Sequence, residues 1–393
     1  MSLGLGSNLS KSGLVTPGIV TDNLVLKHKY DAASVVPISD GAVKLNGTSE
    51  YIDCSSDSSL DVGTNDFSVS AWFKVSTKGG SDYHDIIAKG NTLGSGDGWG
   101  ICLVESDMKI FFDTNGDVAR QNAITSANAW DFDKWYNVTG TRSNSTDTLK
   151  LYLNGVLVAT NASATNNDYG DASLNFRIGN SQSGRESKGY ICNAGYWNEV
   201  LTQAQIKSII NKNYTGLSSS EKTNLVSWWN LDTTLGGSGG TSVVVNSHDN
   251  TLGEELITSF VNGSTYAFDT LTTSGRNISA AVETSGDWAG AASNSLNLVE
   301  GEIYKCTFNL TYNSGTDTVR VLLANSANGA ATSVVDEVYY TNTNGVNEAY
   351  FRVKTTDSTS HLQIGTWHSS DVINFNMTDI SLKRLGGTTG KLI

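Results

Sequence analysis

The sequence predicts an all-β chain: two β-sandwich domains, one short helix and an extended N-terminal arm. Three observations carry that prediction. Of 393 residues, 40 are Gly and only 2 Pro, and charged residues make up 17%, below the roughly 25% usual for globular domains. Ser, Thr, Asn and Gly take their place, a composition that suits turns and outer strand faces better than helix interiors. Apolar and polar residues alternate at period two over much of the chain, whereas a single segment shows helical spacing with its own caps. Finally, 9 Trp, 15 Tyr and 11 Phe supply the core material that disordered chains lack. At about 150 residues per domain the length allows two to three domains.

The first 41 residues form the expected arm. Both prolines, Pro17 and Pro37, fall here, and the apolar residues Leu14, Val15, Pro17, Ile19, Leu24 and Leu26 follow no helical period. Two readings stand: a strand added to the following domain, or an arm that docks on a partner subunit.

Residues 42–235 read as the first sandwich. In Phe67–Val75, one face carries Phe67, Val69, Ala71, Phe73 and Val75, and the other Ser68, Ser70, Trp72 and Lys74, the pattern of a half-buried strand. In Leu149–Val158, Asn154-Gly155 predicts a two-residue hairpin, because both central residues of a type I′ turn need positive φ. Thr202-Gln203-Ala204-Gln205 fits a capping box, with Leu201 placed to staple onto Ile206 and Ile209 and Ile210 continuing an apolar face to about Asn213. Leu225–Leu231 returns to strand. Residues 236–250 open on a Gly/Ser run and read as a flexible linker. Residues 251–385 alternate short strands with Gly/Asn/Ser/Thr turns, at Ile303–Leu310, Thr318–Ala324, Glu348–Val353, His361–Gly365 and Val372–Lys383, which suggests a second sandwich. Residues 386–393 read as a flexible tail, and no repeat of fixed period occurs.

Charge and motifs exclude several classes of function. With 26 Lys+Arg against 39 Asp+Glu, the net charge is −13, so phosphate backbones and anionic lipid repel the chain. No apolar run approaches the roughly 18 residues of a membrane span, and the first residues have neither the basic nor the apolar region of a secretory signal. Cys54, Cys102, Cys192 and Cys306 make no C-x-x-C pair, which argues against zinc and against a disulfide framework. Their apolar neighbours predict buried thiols and folding in a reducing compartment.

The first domain resembles the laminin G-like branch of the concanavalin A-like jelly rolls. The matching stretches are Leu45–Ile52, Phe67–Phe73, Trp135–Thr141, Leu151–Val156, Phe176–Asn180 and Gly195–Thr202, in the family's order. That family often opens on a Trp-bearing strand. Here the similar Leu225–Trp229 comes after the helix, which implies a shifted terminal strand. Within these motifs Trp72, Trp135, Trp197 and Trp228 are expected in the core. The second sandwich resembles jelly-roll carbohydrate-binding modules through Gly301–Phe308 and Asn376–Leu382. Arm, laminin G-like domain and sugar-module-like domain together resemble virion proteins of tailed bacteriophages, which assemble in the host cytoplasm.

No catalytic residues emerge. The Glu-x-Asp-x-x-Glu strand common to enzymes on this scaffold is absent, as are Gly-x-Ser-x-Gly and His-Glu-x-x-His. Glu300-Gly301-Glu302 reads as surface charge, and Tyr83-His84-Asp85 as loop. Calcium is the one candidate cofactor, since oxygen-rich loops suit it. Asp97, Asp168 and Asp171 lie in such loops, with solvated turns as the competing account. The resemblance adds Asp379, together with Glu254 or Glu255. Trp288 and Trp367, each between turn residues, are the candidates for stacking on a sugar ring, with a core or hinge-plugging role equally open to them.

The reading is a non-enzymatic structural virion protein, a capsid decoration, head fibre or tail-associated fibre. Its partners would be a major capsid or tail protein, copies of itself and host-surface glycans bound weakly, without nucleic acid or membrane insertion. A stand-alone sugar-binding protein or adhesin is the alternative, and a diverged glycanase a third.

Overall fold

The computed structural model describes residues 41–76, 82–93, 96–116, 120–164, 169, 173–232, 235–236, 242–244, 246–249, 251–263, 266–283, 289–316, 318–327, 334–335, 338–355, 357–366, 372–388 and 390–392. Apart from Gly41, the expected arm lies outside these residues, including Leu14, Val15, Pro17, Ile19, Leu24 and Leu26.

The chain opens with β1 (Val43–Asn46), β2 (Ile52–Asp53), β3 (Phe67–Val75) and β4 (Tyr83–Gly90). Next come β5 (Gly98–Val104), β6 (Lys109–Asn115), β7 (Gln121–Ile124), β8 (Tyr136–Ser143), β9 (Thr148–Leu153) and β10 (Val156–Asn161). β11 (Phe176–Ile178) and β12 (Lys188–Trp197) lead into helix α1 (Gln203–Ile209). β13 (Leu225–Trp229), β14 (Leu235–Gly236) and β15 (Ser242–Val244) follow the helix. The second domain begins with β16 (Phe260–Asn262), β17 (Thr270–Ser274), β18 (Asn277–Val282), β19 (Gly290–Ser293), β20 (Leu296–Leu298) and β21 (Ile303–Gly315). It ends with β22 (Val319–Ala324), β23 (Tyr339–Thr341), β24 (Gly345–Arg352), β25 (Asp357–Gly365) and β26 (Ile373–Arg384), before the last strand, β27 (Gly390–Leu392).

These strands make four antiparallel sheets in two sandwiches, the all-β jelly-roll architecture expected from the sequence. One sheet of the first sandwich runs β1-β12-β3-β8-β9-β10, with β13 also on β12. β1 pairs with residues 188–191 of β12 and β13 with residues 194–197, so the two share one edge and β13 prolongs it. The facing sheet runs β14-β15-β27-β2-β11-β4-β5-β6-β7. Between the sheets, Phe67, Trp99, Phe112, Phe176, Tyr196 and Trp229 form a buried aromatic core. Trp99 stacks on Tyr196 at 5.8 Å, and Phe67 lies 4.8 Å from Trp99. The second sandwich packs β16-β19-β25-β22-β23, with β20 also on β25, against β17-β18-β26-β21-β24. Its core includes Phe308, Phe351, Phe375 and Met377. All four cysteines are buried and none forms a disulfide.

The local signals act as their chemistry requires. Thr202 accepts from the Gln205 N–H while the Gln205 side chain accepts from the Thr202 N–H, closing the capping box. Asn154 and Gly155 take φ of 50° and 73° between the paired residues Leu153 and Val156. The helix stops at its C-cap Ile210, short of Asn213, because Asn213 caps the next turn: its Oδ1 accepts from the Gly216 N–H at 3.1 Å.

Four expectations are corrected. β3 is covered on both faces over most of its length, Ser68 and Ser70 being 0% and 3% exposed. α1 and its flanking loop lie over the polar face, where Ser68 Oγ donates to the Glu199 carbonyl (2.6 Å) and accepts from the Leu201 N–H (2.9 Å). Trp197 and Trp228 are core residues beneath α1, but Trp135 is 41% exposed because it stands one residue before β8, at the open end of that face. Tyr83-His84-Asp85 begins β4, with His84 buried against Glu105 at 2.7 Å.

The fourth correction concerns the linker and the tail. Within the expected linker, β15 pairs with β27 from the expected tail, and β27 pairs with β2 of the first sandwich. Gly390 allows this approach, since a Cβ there would sit 2.4 Å from Ile52 Cγ2. Thr388 is buried, its carbonyl accepting from Trp229 Nε1 (2.8 Å) and its hydroxyl from Asn246 Nδ2 (3.1 Å), beside Ser227 Oγ. The sandwiches also meet at Asp53, which accepts from the Ser55 N–H and Asn175 and lies 3.6 Å from the Arg352 guanidinium of β24.

A chain ending at Leu385 should therefore lower the melting temperature of the first sandwich by several degrees, the shift a lost ~1–2 kcal/mol produces in a domain of this size. Calorimetry reads this directly, and an unchanged first-sandwich transition contradicts the pairing.

Candidate functional site

The loop between β2 and β3 builds two clefts. Its first residues, Cys54–Asp57, line a cleft of about 200 Å³ against Glu300–Ile303, Leu385, Gly387 and Thr388, at the seam between sandwiches. Glu302, read from sequence as surface charge, is bound there by Arg384 through two hydrogen bonds, one of 2.8 Å. Residues farther along the loop line a larger cleft of about 470 Å³, formed by Ser59, Asp61, Val62, Asn65, Asp66, Asn144, Ser145, Tyr196 and Asn198.

Buried charge holds the larger cleft in shape. Arg142 on β8 is fully buried and stands 5.2 Å over the Tyr169 ring. Its Nη1 donates to the carbonyls of Thr64 (3.1 Å) and Asn65 (3.3 Å), and its Nη2 to Asn144 Oδ1 (3.3 Å). Asp66 Oδ1 accepts from the Asn144 N–H at 2.6 Å, tying the loop to the β8–β9 turn. A planar fork satisfied by several carbonyls fixes a loop more firmly than a point charge would. On the floor, Lys89 of β4 is 0% exposed and pairs at 2.5 Å with Asp61, which remains 22% exposed. Isolated burial of an ammonium is costly, so Asp61 is held toward Lys89 while its open edge faces the cleft. Burial, with the Asp61 charge adding, holds the Tyr196 phenol protonated far above its ordinary range.

The cleft thus presents two partly exposed carboxylates, three amides and two serine hydroxyls around a polar hollow. These groups donate to and accept from hydroxyls, and the volume falls in the ~300–1,000 Å³ range of small-ligand sites. Sequence motifs did not single out these residues, because most are common loop residues brought together only where β3 pairs with β8 on one side and β12 on the other.

The residues singled out from sequence are scattered. Trp288, Trp367, Asp168 and Asp171 lie outside the described residues. Asp97 and Asp379 are exposed and far apart in the fold, and Asp379 takes φ 54°, its N–H donating to Asn277 Oδ1. Glu255 is committed elsewhere: its Oε1 accepts from the N–H groups of Ile257 and Leu382, and its Oε2 meets Arg276 at 2.8 Å. Burial alone would raise its pKa, but bonds from Ser381, Leu382 and Ile257, with the Arg276 charge, hold it below the usual range. A guanidinium thus stands at Glu255, where the resemblance implies a metal cation. Among the described residues no three His, Cys, Asp or Glu side chains cluster to hold a metal.

One carboxylate pair has the altered proton affinity of catalytic acids. Asp85 accepts from Thr92 Oγ1 at 2.7 Å, and Asp113 accepts from the Leu93 N–H at 2.8 Å and faces Arg120 at 3.2 Å. Burial raises both, Asp113 to about 6. Both are 0% exposed beneath residues 92–93 and Arg185, whose Nη1 donates to Thr92 Oγ1 at 3.2 Å, so a substrate does not reach them.

A raised carboxyl pKa means that the folded state takes up its proton first. Asp113 therefore favours folding at about pH 4, and that contribution is lost as pH rises through about 6. Asp113→Asn keeps an oxygen for the Leu93 N–H, and should stabilise the protein at pH 7.5 by as much as roughly 3 kcal/mol, with no gain near pH 4. Denaturant titrations at the two pH values measure this, and an equal effect at both contradicts it.

Residues 46–207 match the laminin G-like family model of the concanavalin A-like lectin/glucanases superfamily. No curated protein matches the chain. Among solved structures, a heptameric SAP-like pentraxin from Limulus polyphemus is 15% identical, covering 44% of this chain and 83% of its own, with a TM-score of 0.36. The carbohydrate-binding module CBM40 of the Ruminococcus gnavus IT-sialidase is 13% identical over 44% of this chain and 97% of its own (TM-score 0.35). Trypanosoma rangeli sialidase is 16% identical over 37% of this chain and 22% of its own (TM-score 0.27). The first sandwich, over residues 46–207, thus carries the lectin-like fold.

Proposed function

We propose that this protein is a non-catalytic glycan-binding protein whose first sandwich takes sugar hydroxyls in the cleft around Asp61, Asn65, Asn144 and Asn198. The observation that carries the proposal is the makeup of that cleft, a hollow of about 470 Å³ lined by carboxylate, amide and hydroxyl groups on a fold of the lectin/glucanase superfamily. Carboxylates and amides meet adjacent hydroxyls by hydrogen bonds, while the loop frame fixed by Arg142 lowers the ordering cost of binding. Burial of Asp85 and Asp113 supports a binding role over hydrolysis.

Display on a tailed-phage particle, as a capsid decoration or fibre component, is the setting we propose for this activity. Its support is the resemblance of the chain's plan to such virion proteins and a set of buried cysteines that form no disulfide, as suits assembly in host cytoplasm. Many copies would turn a weak site into firm attachment through avidity. Labelling of purified particles by antibodies against this chain supports that setting, and bare particles refute it.

The full chain should retain at least one class of neutral glycan on an array of bacterial surface sugars. The double variant Asn65→Ala/Asn198→Ala, which removes exposed amides and leaves the Asp61–Lys89 pair intact, should lose roughly tenfold or more in affinity at unchanged melting temperature. A silent array, or a double variant that binds like the parent, overturns the cleft as the site.

A further inference from the structure

We propose a second ligand site, for an anionic polysaccharide, on the part of the β1-β12-β3-β8 face that α1 leaves open. Val43, Leu45 and Ile191 point into the core, so the alternate residues Lys44, Lys188 and Tyr190 point outward. The register places Lys44 and Lys74 directly across from Tyr190 on either side. Lys74 Nζ stands 4.8 Å from the Tyr190 ring centre and 6.0 Å from that of Trp135, and Lys44 Nζ stands 6.0 Å from Tyr190. The Trp135 and Tyr190 rings lie 6.3 Å apart. Lys188 completes the group, its stem lying over Gly47, where a Cβ would come within 2.5 Å.

Three features select the ligand. None of the three lysines has a carboxylate partner among the described residues, although the chain carries a net charge of −13. A local cluster of like charge held together costs repulsion that a bound anion relieves. Trp135, 41% exposed, offers an indole face at the edge of the cluster, and stacking on a flat apolar sugar face uses such a ring. Elsewhere α1 closes the same face, with Trp72 Nε1 donating to the Ile210 carbonyl at 2.7 Å, so the open area is bounded. Rings bearing carboxylate or sulfate groups supply both a stacking surface and a counter-charge. This site is separate from the Asp61 cleft and differs from it in the charge of its ligand.

Affinity electrophoresis of the full chain in native gels containing dextran sulfate, polygalacturonate or uncharged dextran tests the proposal. Retardation by either polyanion and not by dextran is expected, and the polyanion that retards more names the sulfate or the carboxylate. Trp135→Ala and the triple variant Lys44→Ala/Lys74→Ala/Lys188→Ala should each weaken binding roughly tenfold or more at unchanged melting temperature. Asn65→Ala/Asn198→Ala should leave it intact, so failure of the cleft reading is distinguished from failure of this one. No retardation, equal retardation by dextran, or full binding by Trp135→Ala overturns the proposal. Self-association abolished by Trp135→Ala would assign the face to a second copy, and overturns it too.

Discussion

The return of the last strand to the first sandwich is the constraint on which the two-domain arrangement rests. β27 lies between β15 and β2, so a sheet that starts near residue 52 is completed only by residues more than 330 positions later. Thr388 anchors the crossing through Trp229, Asn246 and Ser227, all belonging to the first domain or its exit. Loop-closure entropy grows slowly with length, so one such long closure is tolerable thermodynamically, though it ties completion of the first sheet to a strand that follows the second sandwich. Asp53 sits at the same seam, between Arg177 of its own sandwich and Arg352 of the other.

Buried charge shapes the polar features. Lys89 and Arg142 carry their cations to positions without solvent access, and each is offset by a loop oxygen: the Asp61 carboxylate for one, the Thr64 and Asn65 carbonyls for the other. The β2–β3 loop is thereby held by the strands beneath it. Burying such groups gains little net stability and fixes one arrangement over alternatives. That rigidity is what a hydroxyl-binding hollow needs, because amide and carboxylate directions must be set before the ligand arrives.

Much of the fold was legible because its signals are local. The Thr202–Gln205 box and the Asn154-Gly155 turn specify their geometry within four residues. The longer strands of the second sandwich, β21, β22, β24, β25 and β26, announce themselves by apolar content between turns. What was not legible depended on distant partners. In β15, Ser242, Val243 and Val244 are too short a run to stand out after a Gly/Ser stretch, and they become a strand only through pairing with β27. Gly390 reads as flexibility in sequence and as close packing against Ile52 in the fold. Trp135 lies inside a family motif, yet its exposure depends on how far α1 extends across the sheet. The cleft residues carry no motif, since Asn65, Asn144 and Asn198 come from three separate connections.

Buried sulfur widens the range of surroundings in which this protein can work. Burial pushes the thiols of Cys54, Cys102 and Cys306 well above their ordinary range, and the thiolate is the form that attacks disulfides and meets oxidants. A fold whose cysteines are buried and unbridged does not depend on an oxidising environment to form. Such a chain has no bridge to lose among reducing metabolites, and burial holds these three thiols in their less reactive protonated form.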